Sequence, residues 1–130
     1  MLHIPTSEQT RLADRHTIEH EPIASIDLME RASRAFTTRF MEIAPDKSAS
    51  ILVCAGTGNN GGDGLAIARM LYQLGYPHIS VWVARFATSE TADFATNLGR
   101  LADTGVGINE LLPGHPLPPV DASFVIDALI

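Results

Sequence analysis

Asn59-Asn60-Gly61-Gly62-Asp63-Gly64 puts two amides, a carboxylate and three glycines into six residues. Together with the preceding Gly56-Thr57-Gly58, it gives Gly56, Gly58 and Gly61 the G-x-G-x-x-G spacing. In that pattern the glycines let backbone approach a pyrophosphate, and bare N–H groups at a helix N-terminus bind it. The dinucleotide fingerprint also needs an acid about 20 residues on, at the tip of the second strand, to hold a ribose. Here that tip reads Val83-Ala84-Arg85-Phe86, with no carboxylate. Arg85 is of a type that can contact a 2′-phosphate, although a solvated surface role is the commoner one. A hydride-transferring dehydrogenase is therefore the weaker reading. Asp63 beside a pyrophosphate brings repulsion; it suits a helix cap or accepts hydrogen bonds from hydroxyl groups. Asn59 divides between a turn role, since asparagine tolerates left-handed backbone, and a ligand role. Amide and carboxylate oxygens can share a hard cation. Asp127, at the end of a later strand, offers a second carboxylate, with capping of the next turn as its plain alternative.

These residues need a scaffold, and hydrophobic patterning supplies one. Ile51–Ala55 is a continuous apolar strand, suited to the middle of a parallel sheet. A helix is predicted from about Asp63 to Leu74, with Leu65, Ala68, Leu71 and Leu74 inward and Gly75 as its left-handed cap. Ile79–Ala84 is the second strand. Ser89 is placed to cap a further helix that buries Ala95, Leu98, Leu101 and Ala102 and ends at Gly105. The segment Leu112–Val120 holds Pro113, Pro116, Pro118 and Pro119 and reads as surface loop; Ser123–Ile130 reads as a core strand. Upstream, Thr6 and Gln9 have capping-box spacing, so a first helix is predicted from Ser7 to His20. Ser25 precedes a second, Ile26–Ile43, with Met29, Ala32, Ser33, Phe36, Phe40 and Ile43 on one face. This alternation predicts an α/β fold, a parallel sheet between helical layers, with ligands beyond the carboxyl ends of its strands. Gly56–Asp63 and Asp127 both fall at that end.

The bulk properties narrow the function. The chain has 130 residues, enough for one domain spanning 1–130, and a net charge of −6. Nucleic-acid binding is not expected of it, and an anionic ligand must be held by local dipoles and side chains. Tyr72 and Tyr76 lack interleaved basic residues, so no RNA-stacking platform is indicated. The lone Cys54 excludes a disulfide framework and fits a reducing compartment such as the cytoplasm. No signal pattern opens the chain, and no apolar run reaches the roughly 18 residues of a membrane span. His16, Glu19, His20 and Glu21 read as a solvated helix end, Glu30 as a surface or inter-helix hydrogen bonder, and Trp82 as core. A strand at Ser123–Ile130 with nothing after it suggests the front part of a longer protein, because a parallel strand normally runs into a covering helix.

Asn59–Gly64 after an apolar strand closely resembles the YjeF N-terminal domain family, the NAD(P)H-hydrate epimerases. Thr6-Ser7-Glu8-Gln9 is similar to the family's opening, Leu28-Met29-Glu30-Arg31-Ala32 to its second-helix signature, and Val125-Ile126-Asp127-Ala128-Leu129 to its later strand. The resemblance implies a Rossmann-like three-layer αβα sandwich, C-terminally incomplete in this chain. It implies an isomerase that interconverts the R and S forms of hydrated NADH and NADPH, repairing nicotinamide cofactors for an S-specific dehydratase, fused or separate. By position, Asn59, Asn60, Gly61, Gly62 and Asp63 would line the substrate site, and Asn60 and Asp127 would ligate potassium. The catalytic acid–base group stays unassigned. Ile130 stands where the family usually has Phe, before a second glycine-rich loop. A homodimer is compatible with the resemblance. The alternative is a non-catalytic YjeF-like scaffold that binds nucleotide, RNA or protein; the intact motifs favour the enzyme.

Overall fold

The computed structural model describes residues 2–3 and 23–130. The expected first helix, its Thr6–Gln9 capping box and the His16–Glu21 group lie outside them. The elements are β1 (Leu2–His3), α1 (Ser25–Ile43), β2 (Ile51–Ala55), α2 (Asn59–Gln73), β3 (Ile79–Ala84), α3 (Ala92–Ala102), β4 (Gly107–Leu111) and β5 (Phe124–Ala128). The sheet order is β1-β5-β2-β3-β4, and every neighbouring pair is parallel. The α/β class and the parallel sheet are as the alternation predicts.

Strands β2 and β3 keep their expected bounds because both are apolar runs buried in the sheet centre. Ile51, Val53, Ala55, Val81, Val83 and Ile126 turn one row of side chains to the helices, where Phe40, Leu65, Ile67 and Leu71 complete the core. The opposite row holds Leu52, Cys54, Trp82, Val125 and Asp127, and Trp82 is buried as expected. Helix α2 lies on β2, β3 and β5, and α1 and α3 each pack against α2. The three described helices thus form a single layer.

Phe40 anchors that layer, with edge-to-face contacts to Tyr76 and Phe124 at centroid distances of 5.8 and 5.4 Å. The Tyr76 hydroxyl donates to the Ala44 carbonyl at 2.6 Å, entirely out of solvent. Tyr76→Phe leaves that carbonyl without its donor and is expected to cost about 1–2 kcal/mol, read as a lower urea midpoint at unchanged slope. Burial pushes the Tyr76 pKa up. The folded state therefore holds this proton more tightly, and the contribution is present below about pH 10 and lost as pH rises through the folded value. Tyr76→Phe abolishes that alkaline loss.

Several expectations are corrected. Helix α2 starts at Asn59, four residues early, so the motif is helix rather than turn. No described residue except glycine has positive φ, so Asn59 is not left-handed. The cap of α3 is Thr91, whose hydroxyl accepts from Phe94 N at 3.2 Å, rather than Ser89. Its buried face is Phe94, Asn97 and Leu101, while Ala95 and Ala102 are exposed, because this helix packs on α2. Ala32, Ile43 and Leu74 are also exposed; Ile43 and Leu74 sit at helix ends, and Leu28 and Ala44 are buried instead. Helix α1 begins at Ser25 after an N-cap Ala24 that supplies no side-chain bond. At the other end of α2, Gly75 (φ 104°) closes the cap as expected, with Tyr76 N donating to Leu71 O and Gly75 N to Tyr72 O.

Strand β4 is absent from the sequence reading. It is a short edge strand with Gly107, Asn109 and Glu110 exposed, so it carries little apolar signal.

Candidate functional site

The chain passes from β2 to β3 on one side, while β5 lies on the other side of β2. The crevice above β2 and β5 is therefore a topological switch point, where parallel α/β sheets bind ligands. The backbone closes tightly there: Gly56 N donates to Ala128 O at 3.0 Å. A Cβ on Gly56 would stand 2.4 Å from Leu129 O, and one on Gly64 2.6 Å from the Ala128 Cβ. These glycines let the β2–α2 turn and the first turns of α2 sit against the end of β5.

A cavity of about 400 Å³ opens at this point. Gly56, Thr57, Gly58, Asn60 and Gly61 form its floor, Ala84, Phe86 and Ala87 one wall, and Leu129 and Ile130 the other. Gly58, the N-cap of α2, has no side chain to cap the helix, so first-turn N–H groups end the helix without an intrahelical partner. The positive end of the helix dipole faces the same way. This is an anion-holding arrangement within a protein of negative net charge.

The expected site residues divide. Asn60, 2% exposed, and Gly61 line the cavity. Asn59 is half-buried at the helix start. Gly62 packs behind the floor, against the Met29 side chain. Asp63 is buried past the first turn, so it does not cap the helix; its carbonyl receives the Ser33 hydroxyl at 3.4 Å. Asp127 is at the same end of the sheet but points with Cys54, its register partner, away from the helix layer. Its Oδ1 accepts from Leu129 N at 3.1 Å, the turn-capping geometry. None of Asn60, Asp63 and Asp127 is without a partner. Burial, then the charge of Asp127, raises the Cys54 pKa, which keeps it a thiol.

Two residues at the site, Thr57 and Phe86, were not singled out from the sequence. Thr57, an unspecified position of the glycine pattern, is 6% exposed. Its hydroxyl donates to Ser89 O at 2.9 Å, and its carbonyl accepts from Thr91 N at 3.0 Å. These two bonds tie the 85–91 loop to the cavity floor. Phe86, 61% exposed, needs that loop to reach the wall. Arg85 is part-exposed and paired with two carboxylates: its Nε donates to Glu110 Oε1 and its Nη1 to Glu90 Oε2, both at 2.9 Å. It also lies 5.8 Å above the Phe94 ring centre. The bonds to Glu90 and then Glu110 raise its pKa.

Among the described residues, no three His, Cys, Asp or Glu side chains group as a metal site, and no helix is long and apolar enough to cross a membrane.

Known proteins are similar to this chain. "NAD(P)H-hydrate epimerase" of Limosilactobacillus reuteri (strain ATCC 55730 / SD2112) is 44% identical over 78 residues, which cover 60% of this chain and 36% of that one. "Bifunctional NAD(P)H-hydrate repair enzyme Nnr" of Salinibacter ruber is 37% identical, covering 96% of this chain and 25% of that one. The alignments thus take in about a third or less of those relatives' lengths. The crystal structure of yeast ynu0 superposes with a TM-score of 0.74 over 98% of this chain and 56% of that one, at 24% identity, which shows a common fold. The family model described as YjeF-related protein N-terminus matches residues 25–130. With the glycine-floored crevice and the motif at its helix start, this match places the chain in the YjeF-related N-terminal family.

Proposed function

We propose that this protein interconverts the R and S epimers of hydrated NADH and NADPH. The observation that carries the reading is the uncapped N-terminus of α2 at the switch point, with Asn60 on the cavity. A dinucleotide's pyrophosphate suits such a helix end. Opening and reclosing the ring at C6 needs proton transfer and stabilisation of an iminium-like or ring-opened species. Fixed dipoles at the start of α2 supply the stabilisation. The names of the Limosilactobacillus reuteri and Salinibacter ruber relatives support the same substrate.

Asn60 and Asp127 are the proposed potassium ligands. Both offer oxygen donors, the type a hard cation takes, and both lie at the carboxyl end of the sheet. The ion would brace the loop and screen substrate phosphate. A dehydratase, fused or separate, is the proposed partner, in keeping with the bifunctional relative. A cytoplasmic setting suits the single free thiol.

The test is chromatography of pure R-form hydrated NADPH after addition of the full-length protein. The S form is expected to appear faster than in buffer, in a potassium-dependent manner. Asn60→Ala or Asp127→Ala is expected to raise the potassium requirement by about tenfold or more, the scale of losses around metal ligands. A rate equal to that of buffer would remove the reading. Tight binding of hydrated NADPH without interconversion would favour the scaffold alternative.

A further inference from the structure

We infer that the tip of β3 receives the adenosine half of the dinucleotide and selects a 2′-hydroxyl over a 2′-phosphate. The inference rests on the dinucleotide reading above. In a doubly wound sheet the pyrophosphate sits on the glycine turn and the adenosine ribose lies at the tip of the next strand. Here the cavity runs that way, from Gly58 and Asn60 on its floor to Phe86 just beyond β3. Phe86 is 61% exposed and gives that wall an aromatic surface for a planar base.

Arg85, between the wall residues Ala84 and Phe86, and its two carboxylate partners set the charge next to that wall. Sites that accept a 2′-phosphate use an arginine there, and sites that hold a 2′-hydroxyl use an acid. Arg85 is the only lysine or arginine from Ala84 to Thr91. It is taken up by Glu90 and Glu110, each at 2.9 Å. Glu110 stands on β4, where it pairs in register with Val83 near the end of β3. The neighbouring strand thus brings an acid to this strand tip, adjacent to the cavity wall rather than on its lining. A 2′-phosphate would have to draw Arg85 away from two carboxylates and then lie beside both. The side chains of Arg85, Glu90 and Glu110 are 29%, 39% and 49% exposed, so water screens part of that repulsion. The expected selectivity is therefore modest, about tenfold.

ADP-ribose and its 2′-phosphate, titrated calorimetrically into the full-length protein, test this directly. ADP-ribose is expected to bind about tenfold more tightly, or 1.4 kcal/mol. Glu90→Gln with Glu110→Gln frees Arg85 and is expected to shrink the ratio to about twofold or reverse it, mainly by tightening the phosphate form. Glu110→Gln alone moves the ratio in the same direction by a smaller step, and serves if the double variant does not fold. Equal binding of the two probes, no binding of either, or a ratio untouched by the substitutions overturns the inference. Epimerisation alongside equal binding would leave the proposed function standing and remove only the selectivity. Selective binding without epimerisation would do the reverse.

Discussion

Gly61→Ala is expected to lower the melting temperature by roughly 10 °C or more, or to abolish folding. A Cβ at this position would stand 1.7 Å from the Gly56 carbonyl oxygen and 2.5 Å from its carbon. Both are backbone atoms, so no rotamer change relieves the clash. Gly56 cannot retreat either, because its N–H is bonded to Ala128 O at 3.0 Å and Leu129 presses on its other side. Overpacking costs about 1–3 kcal/mol where side chains can adjust. With backbone on both sides the cost reaches about 3 kcal/mol or more, a large part of a typical stability of roughly 5–15 kcal/mol. For a domain of this size each kilocalorie moves the melting point by about 3–5 °C. Gly58→Ala is the control, since a Cβ there meets nothing within 4 Å. At this N-cap, where alanine is less favourable than glycine, it is expected to cost about 1 kcal/mol or less. Thermal unfolding followed by circular dichroism compares the two, and equal melting points would show that the turn has room the close approach denies. Any Gly61→Ala protein that folds carries a displaced α2 start, and with it a displaced cavity floor.

That same contact explains where the sequence misleads. Strands β2 and β3 are legible to the residue because burial leaves β2 a continuous apolar run and β3 one broken only by the exposed Ser80. The start of α2 is not. Asn59, Asn60, Gly61 and Gly62 are poor helix formers, and by propensity they read as turn. They are helical because only glycine lets α2 lie against Gly56 and Met29, a tertiary demand that propensity does not see. The packing of α3 is hidden for a similar reason. Asn97 is fully buried, donating to Met29 Sδ at 3.0 Å and Asp93 O at 3.3 Å, on a face where a polar residue predicts solvent. At the site, the helix end and its motif were legible from local spacing. Phe86 on the wall and the grip of Glu110 on Arg85, 25 residues away in sequence, arise only once β4 pairs with β3.

Glu30→Ala is the second large effect, expected to destabilise the protein by about 2–3 kcal/mol. Glu30 lies on α1 and joins all three described helices: Arg69 of α2 donates to its Oε1, and Arg100 of α3 approaches the same oxygen at 3.4 Å. Arg34 stands 3.9 Å from its Oε2. The Arg69 side chain is 12% exposed, and its pKa is lowered first by burial and then by the charge of Arg100. Without Glu30, a buried guanidinium loses its counter-charge and faces a second one. Breaking a fully buried pair from one side costs about 3–5 kcal/mol. Partial exposure of Glu30 and Arg100, 22% and 40%, reduces that. Arg69→Met removes the other partner but leaves Glu30 with Arg100 and Arg34, and an apolar chain fills the gap; about 1 kcal/mol or less is expected. Urea unfolding of the two variants separates the explanations. Equal losses would mean that packing of the arginine stem, not charge, joins the helices. Under the charge reading, salt near 1 M, where screening acts within about 3 Å, recovers part of the loss in Glu30→Ala and little in Arg69→Met. The consequence reaches the site, because α1 also carries Met29 against Gly62 and Ser33 to the Asp63 carbonyl. A loosened α1 is therefore expected to weaken the proposed nucleotide binding at the front of α2, although Glu30 does not line the cavity.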